Sequence, residues 1–140
     1  MDTGLNKSLD KLTEIKEIFS MFSDPLDMIA ELINIGKSAH SMSDDEKNNQ
    51  NIIKGCTSKA WMIINKSSTD TYKIKTDSDS HIVSGLLFLL SLSVDNQQKS
   101  FINTIDGIQI LDSVGLGGHI TSQRTNGFLS AIETLKKRIN

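Results

Sequence analysis

The run Ile82 to Val94 constrains the fold more than any other stretch of the chain. It is apolar almost all the way round a helix. A helix without a polar face must be covered on several sides, so it is expected at the centre of the core. Its longest unbroken apolar piece, Gly85 to Leu90, is too short and too serine-interrupted at its flanks to span a bilayer.

The rest of the chain supplies the cover. Apolar residues at Leu12, Ile15, Phe19 and Phe22 recur at helical spacing. That helix stops near Ser23-Asp24-Pro25, where Asp24 can cap the next helix and Pro25 fits its first turn. Leu26, Ile29, Ile33 and, as a further candidate, Ile35 give the second helix its apolar side, and Gly36 is read as its stop. Ser41 to Gln50 is a polar connector with room for one helical turn at Asp44 to Lys47. Asn51 to Lys54, Lys59 to Asn65 and Thr71 to Thr76 are read as strands. Trp61 and Ile63 share one side of the second, with Ala60, Met62 and Ile64 on the other; Tyr72 and Ile74 oppose Lys73 and Lys75 across the third. Asp77-Ser78-Asp79 closes the sheet and brings carboxylates to a helix N-terminus. After Asp95 to Ser100 come a short helix within Phe101 to Asp106, another on Ile108, Leu111 and Val114, and a stop at Gly115-Leu116-Gly117-Gly118. Thr121 or Ser122 caps a last helix along Phe128, Ile132, Leu135 and Ile139, with Lys136, Lys137 and Arg138 near its negative end. The expected architecture is α+β: a three-stranded antiparallel sheet with helices packed mainly on one face. Residues 1–140 form one domain, with 1–8 a loose extension.

Composition narrows the function classes. The 140 residues carry a net charge of -2, so no broad field attracts nucleic acid or a membrane surface. One cysteine cannot form an internal disulfide, which fits a reducing compartment. With no apolar signal run at the start, the expectation is a soluble cytoplasmic protein. One cysteine and three histidines, His40, His81 and His119, match no zinc spacing, so no metal is expected.

The candidate chemistry lies in Lys54-Gly55-Cys56-Thr57-Ser58-Lys59-Ala60-Trp61, which holds the only cysteine and the only tryptophan. Cysteine is usually a small buried hydrophobe, but the neighbours of Cys56 are small or polar. Gly55 permits backbone angles that crowd other residues, and Lys54 and Lys59 lie close enough in sequence to favour a thiolate. This places one thiol at the lip of a small sheet. His81 and His119 read as capping or surface residues before they read as partners of a thiol hydrolase. The glycine cluster lacks the lysine and preceding strand of a phosphate loop. Arg124, one of only two arginines, sits unusually for a cation in the first turn of the last helix, and Asn126-Gly127 beside it is costly there. Asp77 or Asp79, or a partner's anion, would account for that arginine.

These segments resemble one family. Gly55-Cys56-Thr57-Ser58-Lys59-Ala60-Trp61 is similar to the Gly-Cys-Gln-Ser-x-x-Trp signature of SufE-like sulfur acceptors. Asp77-Ser78-Asp79 followed by Ile82-Val83-Ser84-Gly85-Leu86 resembles the family's Asp-Ser-Asp and Ile-Val-x-Gly-Leu segments. His119-Ile120-Thr121-Ser122-Gln123-Arg124-Thr125-Asn126-Gly127 resembles its His-Leu-(Ser/Thr)-x-x-Arg-x-Asn-Gly segment, and Leu32 to Gly36 its second helix. Thr57 stands where the family has glutamine, and Ile53-Lys54 where Val-Pro is common.

The resemblance implies a sulfur shuttle with a SufE/IscU-like fold. Cys56 would accept persulfide sulfur from a pyridoxal-phosphate cysteine desulfurase (SufS-like), stimulate it, and relay sulfur to an iron–sulfur scaffold (SufB-like) or another thiolation pathway. The pyridoxal phosphate would reside on the desulfurase, with no cofactor bound here. Gly55, Ser58, Lys59, Trp61, Asp77, Asp79, His119, Arg124 and Asn126 would support the loop or contact the partner. Cys56 is further expected to turn inward, against Trp61 or the Ile82–Leu90 helix, when no partner is bound. The alternative is an adaptor that binds a desulfurase without carrying sulfur.

Overall fold

The computed structural model describes residues 4–39, 42–55 and 58–140, the first six of them as backbone only. The helices are α1 (Gly4–Ser20), α2 (Pro25–Ser38), α3 (His81–Val94), α4 (Lys99–Ile102), α5 (Gly107–Ser113) and α6 (Ser122–Ile139). The strands are β1 (Ala60–Lys66), β2 (Thr71–Ser78) and β3 (Gln97–Gln98), in an antiparallel sheet of order β1-β2-β3. The α+β architecture is the one expected, with the helices mainly on one face of the sheet.

The central position of α3 follows from its composition. Val83, Leu86, Leu87, Leu89, Leu90 and Val94 are all buried, and α3 packs on β2, α1, α2 and α6. Caps stand where the chain supplies them: Asp24 accepts from Leu26 N ahead of Pro25, Ser80 from Val83 N, and Thr121 from Arg124 N. Each satisfies an N–H that the first helical turn leaves unpaired. Phe128, Ile132, Leu135 and Ile139 line the buried side of α6.

Four departures have physical causes. The helix α1 starts at Gly4, so residues 4–8 of the expected loose extension are helical; residues 1–3 lie outside the described residues. Gly36 lies inside α2 and does not stop it; it is where α2 meets α3, since a Cβ there would fall 1.7 Å from the His81 carbonyl oxygen. The third strand is β3 and not Asn51–Lys54, which contributes one bridge, Ile52 to Trp61. Two glutamines form β3 because Asn96, at φ 59°, turns the chain after α3 and donates to Tyr72 O at 2.8 Å. Finally, β2 runs on to Ser78, so Asp77 is paired in the sheet opposite Trp61 and does not sit on the helix end.

Candidate functional site

The loop of residues 54–59 joins two antiparallel arms. Its base is closed by Ile53 N donating to Ala60 O and Met62 N donating to Asn51 O, both at 2.8 Å. At the entry, Gly55 adopts φ +91° and lies so close to α6 that a Cβ would meet Ser130 Oγ at 2.6 Å. The backbone angle favours glycine there, and any side chain would also have to displace the Ser130 hydroxyl. Cys56 and Thr57, and with them the expected inward turn of the thiol, lie outside the described residues.

The exit of the loop is held from the other side. Lys59 O accepts from Ser78 Oγ at 2.8 Å and from Asp79 N at 3.0 Å. Ser78 O in turn accepts from Ser84 Oγ, at 3.2 Å. The Asp77-Ser78-Asp79 segment thereby ties the loop exit to the first turns of α3. Asp79 itself keeps an exposed side chain.

Trp61 lies on the sheet face away from the main core, opposite Asp77. The connector before the loop covers this face. Ser43 and Glu46 form a reciprocal capping pair, Ser43 N to Glu46 Oε1 at 3.0 Å and Glu46 N to Ser43 Oγ at 3.3 Å. The Ser43 N–H, with the Lys75 ammonium, holds the Glu46 carboxyl below the usual carboxylate range. Next to it, Lys47 Nζ lies 3.5 Å from Asp77 Oδ2 and 5.6 Å from the centre of the Trp61 ring. Asp77 is buried, and its Oδ1 also accepts from Ser78 N at 2.8 Å. One lysine thus neutralises a buried carboxylate and packs over the aromatic face. Replacing it with methionine keeps the stem but removes the Lys47–Asp77 ion pair. Because Lys47 is 26% exposed, water screens the pair, and Lys47→Met is expected to cost about 2 kcal/mol. Urea denaturation checks this; an unchanged midpoint would remove the ion pair from the account.

Both arms meet α6 again through Arg138. Its Nη1 donates to Met62 O at 3.2 Å and its Nη2 to Ile52 O at 3.0 Å. A cleft of about 410 Å³ lies between the entry arm and α6, lined by Ile52, Lys54, Ser130, Thr134, Lys137 and Arg138 among others.

The family model for SufE, described as an Fe-S metabolism associated domain, matches residues 13–139. The chain belongs to the SufE family. An uncharacterised SufE-like protein of Rhizobium etli is 26% identical over 140 residues, covering 98% of this chain and 95% of that protein. One of Rhizobium meliloti is 28% identical over 131 residues, covering 91% and 94%. The SufE match ties the chain to iron–sulfur metabolism. No helix among the described residues is long and apolar enough to cross a membrane. No group of three histidine, cysteine, aspartate or glutamate residues among them could hold a metal ion.

Lys59 is tied to Asp79 and Trp61 pairs with Asp77, while Gly55 meets Ser130 of α6, and Ser58 lies half-buried between Gly55 and Lys59 in sequence. His119, Arg124 and Asn126 are exposed at the turn before α6 and along its first half. Among the described residues Arg124 forms no ion pair, and Lys47 is a cation beside Asp77. That corrects the expectation that Arg124 pairs with Asp77 or Asp79. Sequence reasoning missed Lys47, Ser78, Ser130 and Arg138. Only the Asp77-Ser78-Asp79 segment pointed towards one of these; the other three sit in a polar connector or on a helix flank that periodicity marks as solvent-facing.

Proposed function

We propose that this SufE-family protein accepts sulfur on Cys56 from the persulfide of a pyridoxal-phosphate cysteine desulfurase and relays it to an iron–sulfur scaffold. The observation that supports the reading is that the described residues flanking the chain's single cysteine are tied at the base, entry and exit of the loop, within a chain that matches the SufE model over residues 13–139.

The reaction is a thiol–disulfide exchange in form. The Cys56 thiolate attacks the outer sulfur of the enzyme persulfide. A sulfur–sulfur bond forms to Cys56 as the donor's sulfur–sulfur bond breaks, and the donor cysteine leaves as a thiolate. Electrons balance without an oxidant or reductant. The chain has to supply a nucleophile and its presentation, and no carboxylate pair for acid–base work. Lys54 and Lys59 are exposed on either side of Cys56 in sequence. Relay onward repeats the step, with a recipient thiolate attacking the sulfur carried on Cys56.

The test is alanine production by a purified SufS-like desulfurase given free cysteine, with and without this protein. The proposal predicts that turnover rises with the concentration of this protein and saturates. Turnover that never changes, across desulfurases of this class, would contradict it.

A further inference from the structure

We infer that Arg138 is a positioning residue for Cys56, a clamp that fixes both arms of its loop from α6. The functional consequence rests on the sulfur-relay reading above; the structural one does not.

The two carbonyls that Arg138 holds belong to opposite arms, Ile52 before the loop and Met62 after it. Between these arms the ladder is a single bridge with two hydrogen bonds. Pairing that short is marginal without a third element. Arg138 supplies one from the last turn of α6, between Leu135 and Ile139, both of which are buried. Two turns earlier on the same helix, Ser130 lies under Gly55. The same α6 therefore meets the loop at its base and at its entry, Gly55, the residue before Cys56 in sequence. The planar guanidinium fork spans two acceptors in fixed geometry, which an ammonium cannot copy. A loop held at its ends before docking loses less conformational freedom on docking. A helix-end cation placed only for the helix dipole would not need to reach two carbonyls of another element.

The experiment compares Arg138→Gln and Arg138→Lys with the wild type by amide hydrogen exchange and by sulfur acceptance. In Arg138→Gln the Ile53 and Met62 amides are expected to exchange about tenfold faster. The β1–β2 amides far from the loop, such as those of Asn65 and Lys73, should stay near their wild-type rates. Arg138→Lys keeps the charge and should fall between the two, and it carries the test if the glutamine variant does not fold. In both variants the concentration of this protein that half-saturates the desulfurase should rise. Equal acceleration at all sheet amides would make Arg138 a general stabiliser and overturn the clamp. So would unchanged exchange at Ile53 and Met62, or unchanged half-saturation with both amides loosened. If the wild type takes no sulfur at all, the relay reading fails, and the clamp stands or falls on exchange alone.

Discussion

Gly36→Ala is expected to destabilise the protein by about 3 kcal/mol or more, lowering its melting temperature by roughly 10 °C for a chain of this size. The sign is informative because alanine in a helix interior is intrinsically better than glycine by up to about 1 kcal/mol. Space reverses that preference here. A Cβ at Gly36 would stand 1.7 Å from His81 O, 2.7 Å from His81 C and 3.0 Å from Gly85 N, all backbone atoms that no side-chain rotation can move aside. Gly85 is the reciprocal case, with a Cβ 2.5 Å from Leu32 O. The helices α2 and α3 therefore touch backbone to backbone, and a methyl at either position has to push them apart. Since α3 bears on β2 and its N-terminal turns hold the Ser78 carbonyl, the shift should also reach the exit of the Cys56 loop. Urea denaturation of Gly36→Ala and Gly85→Ala tests this. A midpoint equal to or above wild type would mean the helices are further apart than described.

Cys56→Ser is expected to abolish sulfur acceptance and return desulfurase turnover to the level of the enzyme alone. Serine is close in size, but its hydroxyl is not ionised at neutral pH and cannot hold a sulfane sulfur as a persulfide. The serine variant also separates relay from adaptor. An adaptor that merely reshapes the desulfurase would stimulate it equally well with serine in place, and full stimulation by Cys56→Ser would transfer the argument to that reading.

Legibility in the sequence tracked the strength of periodicity. Ile82 to Val94 and the Phe128, Ile132, Leu135, Ile139 line describe buried helices because apolar spacing and core are the same fact. Asp24 and Pro25 mark a helix start through local chemistry, and the structure uses both. Gly36 misleads because a glycine near a helix end reads as a stop, whereas its purpose is a contact with a helix some forty-five positions on (His81). The strand Gln97–Gln98 has no apolar alternation to announce it; the Asn96 turn and the Tyr72 carbonyl create it. In the site, the cysteine turn and the Asp77-Ser78-Asp79 segment are legible as motifs. Lys47 and Arg138 are not, because each is a charged residue in a polar setting whose partner is distant in sequence: Asp77 for one, Ile52 and Met62 for the other.

The central claim is that sulfur travels on Cys56, and mapping the label tests it most directly. The protein is incubated with a cysteine desulfurase and isotopically labelled cysteine, then digested with trypsin without reductant. The account predicts labelled sulfur on the peptide Gly55–Lys59, released by a thiol reductant. Label confined to the desulfurase and to free sulfide, with Gly55–Lys59 unlabelled while cysteine is being consumed, would contradict it.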